Sequence, residues 1–166
     1  MHVWGESREI PACKLAEEVV RLFGGVRLRV FGTSMIPAIH PGDLISIERA
    51  ELEQISPGEI VLCTRDSRYF VHRVVVKSCG DGEDLLITRG DRLLHNDPPF
   101  TRSQLIGRVR SIGVGPGAIS AVANRTILHR MLARMLSFSD RATYAYLRVF
   151  FFWQRVFPTG SAECRV

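Results

Sequence analysis

The chain has 166 residues, of which 46% are hydrophobic and 23% are charged. This balance excludes a wholly disordered protein and fits one main domain with a core of its own. The formal net charge is +5, and the whole excess lies in residues 119–166, because residues 1–118 carry equal numbers of acidic and basic side chains. We therefore expect no nucleic-acid partner, and we expect the basic tail alone to meet an anionic surface.

Targeting and metal-binding patterns are not evident in the sequence. The N-terminus has no basic segment followed by an apolar run, which predicts no secretory signal peptide, and no stretch of about 18 apolar residues predicts a transmembrane helix. The cysteines form no Cys-x-x-Cys pattern and are predicted to be free thiols; they are Cys13, Cys63, Cys79 and Cys164. We expect no metal or other cofactor, and a cytoplasmic location or a peripheral one on a membrane.

The first two thirds of the chain are predicted to be mainly β. Apolar residues recur at helical spacing over residues 11–23, and Gly24-Gly25 then favours a helix end. Alternating apolar residues follow and predict strands at residues 26–30, 44–47, 59–64, 69–76, 85–88 and 105–114. The polar stretch 65–68 between two of these strands predicts an antiparallel hairpin.

A Gly- and Pro-rich stretch at residues 113–117 predicts a boundary between a β domain, 1–117, and a helical tail, 118–166. The predicted tail helices span residues 119–136 and 140–157. Arginines recur every seven residues, which predicts one basic stripe with aromatic residues opposite; they are Arg134, Arg141, Arg148 and Arg155. Three interpretations stay open: the tail covers the β core, lies in the interface of an anionic membrane, or docks on a partner protein.

Ser34 is the first candidate for a reactive side chain. It follows a predicted strand in the loop from Gly32 to Asp43, where a serine is most often a turn residue. Gly32 permits unusual backbone geometry and Pro37 fixes a backbone angle, so that the turn is predicted to be stiff. A rigid serine loses less entropy on reaching an attacking geometry.

A serine hydroxyl needs a neighbouring base to take its proton. Alternation along the predicted strand 69–76 places His72 on its apolar face, where a histidine is either a satisfied core residue or a sheltered general base. Such a base is usually oriented by a carboxylate, and Asp91 and Asp97 both follow the next predicted strand. Either aspartate is also explained by turn chemistry.

Four motifs then occur in series. They are Gly-x-Ser-Met-x-Pro-x-x-x-x-Gly-Asp from Gly32, Gly-Glu-Ile-Val-Leu from Gly58, Val-His-Arg-Val from Val71, and Thr-Arg-Gly-Asp from Thr88. In this order they resemble the type I signal peptidases, in particular the endoplasmic-reticulum and archaeal type, in which a histidine replaces the lysine of the common bacterial enzymes. The resemblance runs from about residue 26 to residue 112.

The resemblance implies a mainly β fold, with an antiparallel core of coiled sheets like that of signal peptidases and repressor-type proteases, an N-terminal helix and a C-terminal helical tail. It matches Ser34 to the nucleophile, His72 to the general base and Asp97 to the residue that orients it. Asp91 matches a position that supports the site, and Met35 and Gly32 belong to the nucleophile motif. The implied substrate is a polypeptide, cleaved after small residues and bound as an added strand.

The chain departs from the family at three places. Many relatives carry a hydroxyl side chain two positions before the nucleophile to help hold the oxyanion, whereas this chain has Gly32. The family's N-terminal membrane anchor is not evident, and the tail matches nothing in the family. Two alternatives therefore stay open: a self-cleaving relative of the repressor-type proteases, which usually carry a lysine base and a DNA-binding domain, and a catalytically silent module that binds peptides or membrane.

Overall fold

The computed structural model describes residues 12–78, 84–113, 119–120, 132–133, 135–137 and 139–156. Helix α1 spans Ala12–Phe23 and ends, as predicted, at a glycine with positive φ, Gly24 at +77°. The strands are β1 (Gly25–Arg29), β2 (Leu44–Glu48), β3 (Ile60–Arg65), β4 (Arg68–Ser78), β5 (Leu85–Arg89), β6 (Phe100–Thr101), β7 (Leu105–Ile112) and β8 (Ile119–Ser120). Short 3-10 helices span Leu52–Gln54 and Arg102–Gln104, and helix α2 spans Asp140–Val156.

The described strands form one antiparallel sheet in the order β1-β2-β7-β3-β4-β5-β6, and β8 pairs with the end of β7. The predicted mainly β class, with an N-terminal helix and C-terminal helices, is therefore confirmed. β3 and β4 form the predicted hairpin, in which Arg65 pairs with Arg68. Only Asp66 and Ser67 remain in the turn, both with positive φ, because this geometry matches the right-handed twist of the two strands.

Both faces of the central strand β3 are buried, and this places two apolar cores on opposite sides of the sheet. Ile60 and Leu62 belong to one core, which also holds Val20 of α1 and Met35. Val61 and Cys63 belong to the second core, with Val74, Leu86 and Phe100 among others. Successive residues of a strand point to opposite faces, so that a near-continuous apolar run is required here.

The predictions at the start of the tail need a correction. Residues 119–120 were predicted to begin a helix, but Ile119 pairs with Ile112 and Ser120 with Ser111, so that they extend the sheet. Residues 121–131 of that predicted helix lie outside the described residues, whereas 132–133 and 135–137 are helical. Strand β6 was not predicted, because two residues carry no periodic pattern. The domain boundary at residue 117 stays a prediction.

Helix α2 begins after Ser139, whose hydroxyl accepts a hydrogen bond from the Ala142 N–H at 3.3 Å. Its aromatic residues are divided between two sides, contrary to the single aromatic face that was predicted. Tyr146 and Phe150 contact the loop between β1 and β2, whereas Phe151 and Phe152 are exposed beside Arg148 and Arg155. In the described part of the chain, no helix combines the length and the apolar character needed to cross a bilayer.

Candidate active site

Ser34 lies in the loop that joins β1 to β2, residues 30–43, which we call the Ser34 loop. Its base is closed by two backbone hydrogen bonds, from the Val30 N–H to the Asp43 carbonyl at 2.9 Å and from the Gly42 N–H to the Val30 carbonyl at 2.7 Å. The next two side chains along the loop, Met35 and Ile36, are almost completely buried. The loop around the half-buried serine is thus anchored by backbone hydrogen bonds and by buried side chains, and the predicted stiffness of the turn stays a prediction.

His72 reaches the Ser34 loop from the middle of β4, where it pairs with Val61 of β3. The side chain is buried, with 6% of its surface exposed. Its Nε2 lies 2.9 Å from the Ser34 hydroxyl oxygen, and its Nδ1 lies 2.6 Å from a carboxylate oxygen of Asp97. The structure therefore brings the three predicted residues into one continuous hydrogen-bonded chain.

Asp97 is held by contacts to the end of β5. The Thr88 hydroxyl donates to the same carboxylate oxygen at 2.5 Å, and the Asp97 N–H donates to the Thr88 carbonyl at 2.8 Å. Burial alone would raise the pKa of the Asp97 carboxyl, but the hydrogen bonds from His72 and Thr88 outweigh it and the pKa lies below its ordinary value. Asp97 therefore stays ionised into acid conditions, and the stability it adds is lost only as the pH falls through the lowered pKa.

Arg65 fixes the chain that follows Asp97. Its guanidinium donates to the carbonyl oxygens of Pro98 and Pro99, at 3.0 and 2.5 Å, and lies 4.0 Å from the centre of the Phe100 ring. A cation over an aromatic face is attracted by the ring's electrons. Asp97 is thus held between the β5 contacts on one side and Arg65 on the other.

Asp91 supports the site through Arg73, the residue that follows His72. The carboxylate accepts two hydrogen bonds from the buried Arg73 guanidinium, at 2.8 and 2.7 Å, and Arg73 also donates to the Gly58 carbonyl at 2.8 Å. Such a two-point pair fixes orientation as well as distance. It joins the strand that carries His72 to the loop after β5, which touches Ser34.

Gly90 makes that contact possible. A Cβ atom on Gly90 would lie 2.7 Å from the Ser34 carbonyl oxygen and 3.0 Å from the Ser34 Cβ. Because the first of these atoms belongs to the backbone, a larger residue would displace Ser34. The loop after β5 also donates to Ser34, since the Arg92 N–H lies 2.9 Å from the Ser34 carbonyl oxygen.

Comparison with known proteins finds similarity to peptidases. A family model described as Peptidase S24-like matches residues 10–89, which include Ser34 and His72. The signal peptidase complex catalytic subunit SEC11 of Yarrowia lipolytica is 33% identical over 104 residues, which cover 60% of this chain and 60% of that protein. Over the regions that they cover, the two matches make the chain similar to signal-peptidase-like proteins of the S24/S26 type.

Gly32 stands where the resemblance leads us to expect a hydroxyl side chain. Gly32 is exposed, and no atom lies within 4 Å of the position that a Cβ would occupy. There is consequently no side-chain donor at this position to meet an oxyanion, although there is space for one. Met35, the other motif residue, is 2% exposed and packs in the core beside Ile39, so that it anchors the Ser34 loop.

Three residues that hold this site were not predicted from the sequence. Thr88 and Arg73 stand inside the quoted motifs, and their polar side chains at buried strand positions were the signal that could have found them. Arg65 was read only as part of a polar turn. Its contact with residues 98–100 depends on the pairing of β5 with β6, which the sequence did not show.

Cys63 is a buried free thiol beside this site, as its apolar strand position favours. Burial raises the pKa of the thiol to about 12, and the nearby Asp97 charge adds to the rise. A thiol in this state is protonated and unreactive.

The side chains of Cys13, Cys79 and Cys164 lie outside the described residues. Within those residues, no group of three His, Cys, Asp or Glu side chains is arranged to bind a metal ion.

The role of Asp97 is testable with the isosteric change Asp97→Asn. The amide cannot stabilise a protonated His72, and it favours the wrong ring tautomer, so that we expect kcat to fall by about 10³- to 10⁴-fold with little change in KM. Initial rates on a cleavable peptide measure this. Asp66→Asn in the exposed β3–β4 turn is the matched control and should leave kcat unchanged. Equal kcat for Asp97→Asn and wild type would contradict the assignment.

Proposed function

We propose that the chain is a serine endopeptidase that processes signal or leader peptides, with Ser34 as nucleophile, His72 as general base and Asp97 as the residue that orients His72. The observation that carries the proposal is the hydrogen-bonded chain from the Asp97 carboxylate through both His72 ring nitrogens to the Ser34 hydroxyl. The match to SEC11, a catalytic subunit by its name, supports it, although it covers only 60% of that protein.

The proposed reaction is acyl transfer in two stages. The Ser34 oxygen attacks the scissile carbonyl carbon while His72 Nε2 takes the hydroxyl proton, and the resulting tetrahedral intermediate expels the amine, which receives that proton from His72. A water molecule then attacks the acyl ester and gives a proton to His72. His72 returns the proton to the Ser34 oxygen as the ester bond breaks, which frees the carboxylic acid and restores the enzyme.

Asp97 supports this cycle electrostatically. An ionised carboxylate 2.6 Å from Nδ1 keeps the ring proton on that nitrogen, so that Nε2 is free to accept from Ser34. The same charge stabilises the imidazolium that forms in each stage. Because both side chains are mostly buried, little water competes with the interaction.

A polypeptide substrate requires an open backbone edge beside Ser34. Among the described strands, β1 pairs with β2 only, and the chain passes from β1 directly into the Ser34 loop. We propose that the substrate adds as a strand to an edge of the sheet, so that backbone hydrogen bonds supply affinity and small pockets beside Ser34 select small residues.

The same residues bear on the two alternative functions that the sequence left open. A self-cleaving repressor-type relative is not favoured, because His72 stands where those proteins usually carry lysine. A catalytically silent module is favoured only by the missing hydroxyl at Gly32, and the short contacts of Ser34 and His72 argue for an intact nucleophile and base.

Ser34→Ala tests the proposal with peptides that carry alanine before the scissile bond. We expect turnover to fall by at least about 10³-fold, because the nucleophile is lost and only background catalysis remains. Cleavage is followed by mass spectrometry of the products. Ser56→Ala, at an exposed serine, is the matched control and should cleave as the wild type does. Equal turnover by Ser34→Ala and Ser56→Ala would refute the proposal.

Gly32→Ser tests the account of the oxyanion. In the proposed reaction the Ser34 N–H donates to the oxyanion of the tetrahedral intermediate. The open space at Gly32 admits a serine side chain, whose hydroxyl would add a second donor. One oxyanion donor is often worth 10²-fold or more in kcat. Because no surrounding contacts position the new hydroxyl, we expect a smaller gain of about tenfold. Gly32→Ala admits a Cβ without a donor and should show no gain. A gain in both variants, or in neither, would contradict this account.

A peripheral membrane location is the second part of the proposal. Phe151 and Phe152 are 43% and 64% exposed on α2, and Arg148 and Arg155, seven residues apart, are exposed beside them. Exposed aromatic side chains enter the interface of a bilayer, and arginines bind anionic headgroups. We propose that this outer side of α2 rests on an anionic membrane while the inner side packs on the Ser34 loop.

The double variant Arg148→Glu/Arg155→Glu tests the membrane proposal on the full chain. Each arginine near an anionic surface contributes about 1 kcal/mol, so that reversing two charges should abolish flotation with anionic vesicles. The matched control is Arg27→Glu/Arg68→Glu, which makes the same charge change at exposed body positions. None of these proteins should float with neutral vesicles. If the two double variants lose flotation equally, docking through α2 is excluded. It is also excluded if the wild type does not float with anionic vesicles.

A further inference from the structure

Helix α2 lies directly against the Ser34 loop, although nothing in the resemblance assigns it a role. Ile36 of the loop is completely buried and forms an apolar cluster with Leu136 and with Leu147 of α2. Ile36 is only two residues from Ser34, so that this cluster fixes the loop from the side opposite the sheet. The tail thus completes the support of the nucleophile.

His40 makes a second contact at the far end of the same loop. Its ring is stacked on Phe150, with 3.8 Å between ring centres and 5° between planes, and its Nε2 shares a 2.9 Å hydrogen bond with the Tyr146 hydroxyl. The His40 N–H also donates to Asp43 at 2.8 Å. One turn of α2 therefore holds the loop by packing and by a specific polar contact.

Arg92 makes the third contact and joins α2 to both residues at the nucleophile. Its N–H donates to the Ser34 carbonyl at 2.9 Å, and its guanidinium donates to the Thr33 hydroxyl at 3.3 Å and to the Thr143 hydroxyl of α2 at 3.2 Å. Its own carbonyl accepts a hydrogen bond from Ser137. A single residue thus links Thr33, Ser34 and the tail.

Thr143 is suited to receive this arginine. Its side chain is 3% exposed, and its hydroxyl lies within hydrogen-bond reach of the Leu136 and Ser139 carbonyls, at 3.1 and 3.3 Å. A hydroxyl has one proton and two lone pairs, so that it donates to one of these carbonyls and accepts from Arg92. A buried hydroxyl with this set of partners sets the position of the Arg92 side chain.

We propose that Arg92 is a positioning residue through which α2 holds Ser34 at its distance from His72, so that full turnover requires the tail to be docked. The kinetic part of this inference rests on the proposed function. The Ser34 to His72 hydrogen bond is 2.9 Å long and weakens steeply with displacement. A misplacement of about 1 Å can cost 10²-fold in rate, even when it originates far from the reacting atoms.

Thr143→Val removes the acceptor for Arg92 and keeps the volume of the side chain, whereas Thr143→Ser keeps the hydroxyl. We expect kcat of Thr143→Val to fall about 10- to 100-fold with KM within about threefold, and Thr143→Ser to stay near wild type. Because Arg92→Met breaks the same link, the double variant Arg92→Met/Thr143→Val should be no slower than Arg92→Met alone.

Tyr146→Phe supplies a second variant in case Thr143→Val does not fold. It removes the hydroxyl that His40 contacts, and Tyr144→Phe is the matched control because Tyr144 is 69% exposed on the same helix. We expect Tyr146→Phe to lower kcat and Tyr144→Phe to leave it unchanged. Both proteins should keep the same circular dichroism spectrum.

Amide hydrogen exchange measures the local stability of the Ser34 loop and does not depend on enzymatic activity. The N–H groups of Ile36, Ala38 and Ile39 are hydrogen-bonded within the Ser34 loop, and we expect them to exchange about tenfold faster in Thr143→Val and Tyr146→Phe, with β3 and β4 unchanged. If wild type shows no Ser34-dependent turnover, the proposed function fails, and faster exchange alone still supports the positioning by α2. Exchange and kcat equal to those of Tyr144→Phe would overturn the inference.

Discussion

The hydrogen bond between the Asp97 carboxylate and His72 Nδ1 is the interaction on which the proposed chemistry depends. A carboxylate in this mostly buried position is costly, because burial disfavours the charged form. The donors of His72 and Thr88 reverse that effect and keep the pKa of Asp97 below its ordinary value. An ionised Asp97 in turn favours the proton on Nδ1 of the neutral His72 ring, and the proposed chemistry needs this tautomer because Nε2 is then free to accept from Ser34.

Each of the three hydrogen-bonded residues, Ser34, His72 and Asp97, is held in place by more than one contact. His72 lies on a strand paired on both sides, and Asp97 is held at Thr88 and again through Arg65 and the backbone beyond it. Ser34 is carried by a loop, and this loop is held by contacts of several kinds. The sheet core, the loop after β5 and helix α2 all bear on that loop.

Much of this was predictable from the sequence, because strand alternation and ordered motifs are local signals. The hairpin required only the spacing of two strand patterns, and the choice of Ser34, His72 and Asp97 as candidates required only spacing and resemblance. Turn chemistry alone did not choose between Asp91 and Asp97, whereas the resemblance did; in the structure Asp97 contacts His72, and Asp91 binds Arg73. The short strands β6 and β8 were missed, since two residues gain their conformation from a partner strand. The aromatic residues of α2 were placed on one face because the sequence does not show that the Ser34 loop packs against Tyr146 and Phe150.

The measurement that tests the central claim most directly is the tautomer of the neutral His72 ring, read from its nitrogen chemical shifts by NMR. The other four histidines serve as internal references, and His72→Gln identifies the signals. The account predicts the proton on Nδ1, facing Asp97, with an unprotonated Nε2 toward Ser34, and a changed tautomer in Asp97→Asn. A neutral ring protonated at Nε2 in the wild type would contradict it, because that nitrogen could then not accept the proton of Ser34.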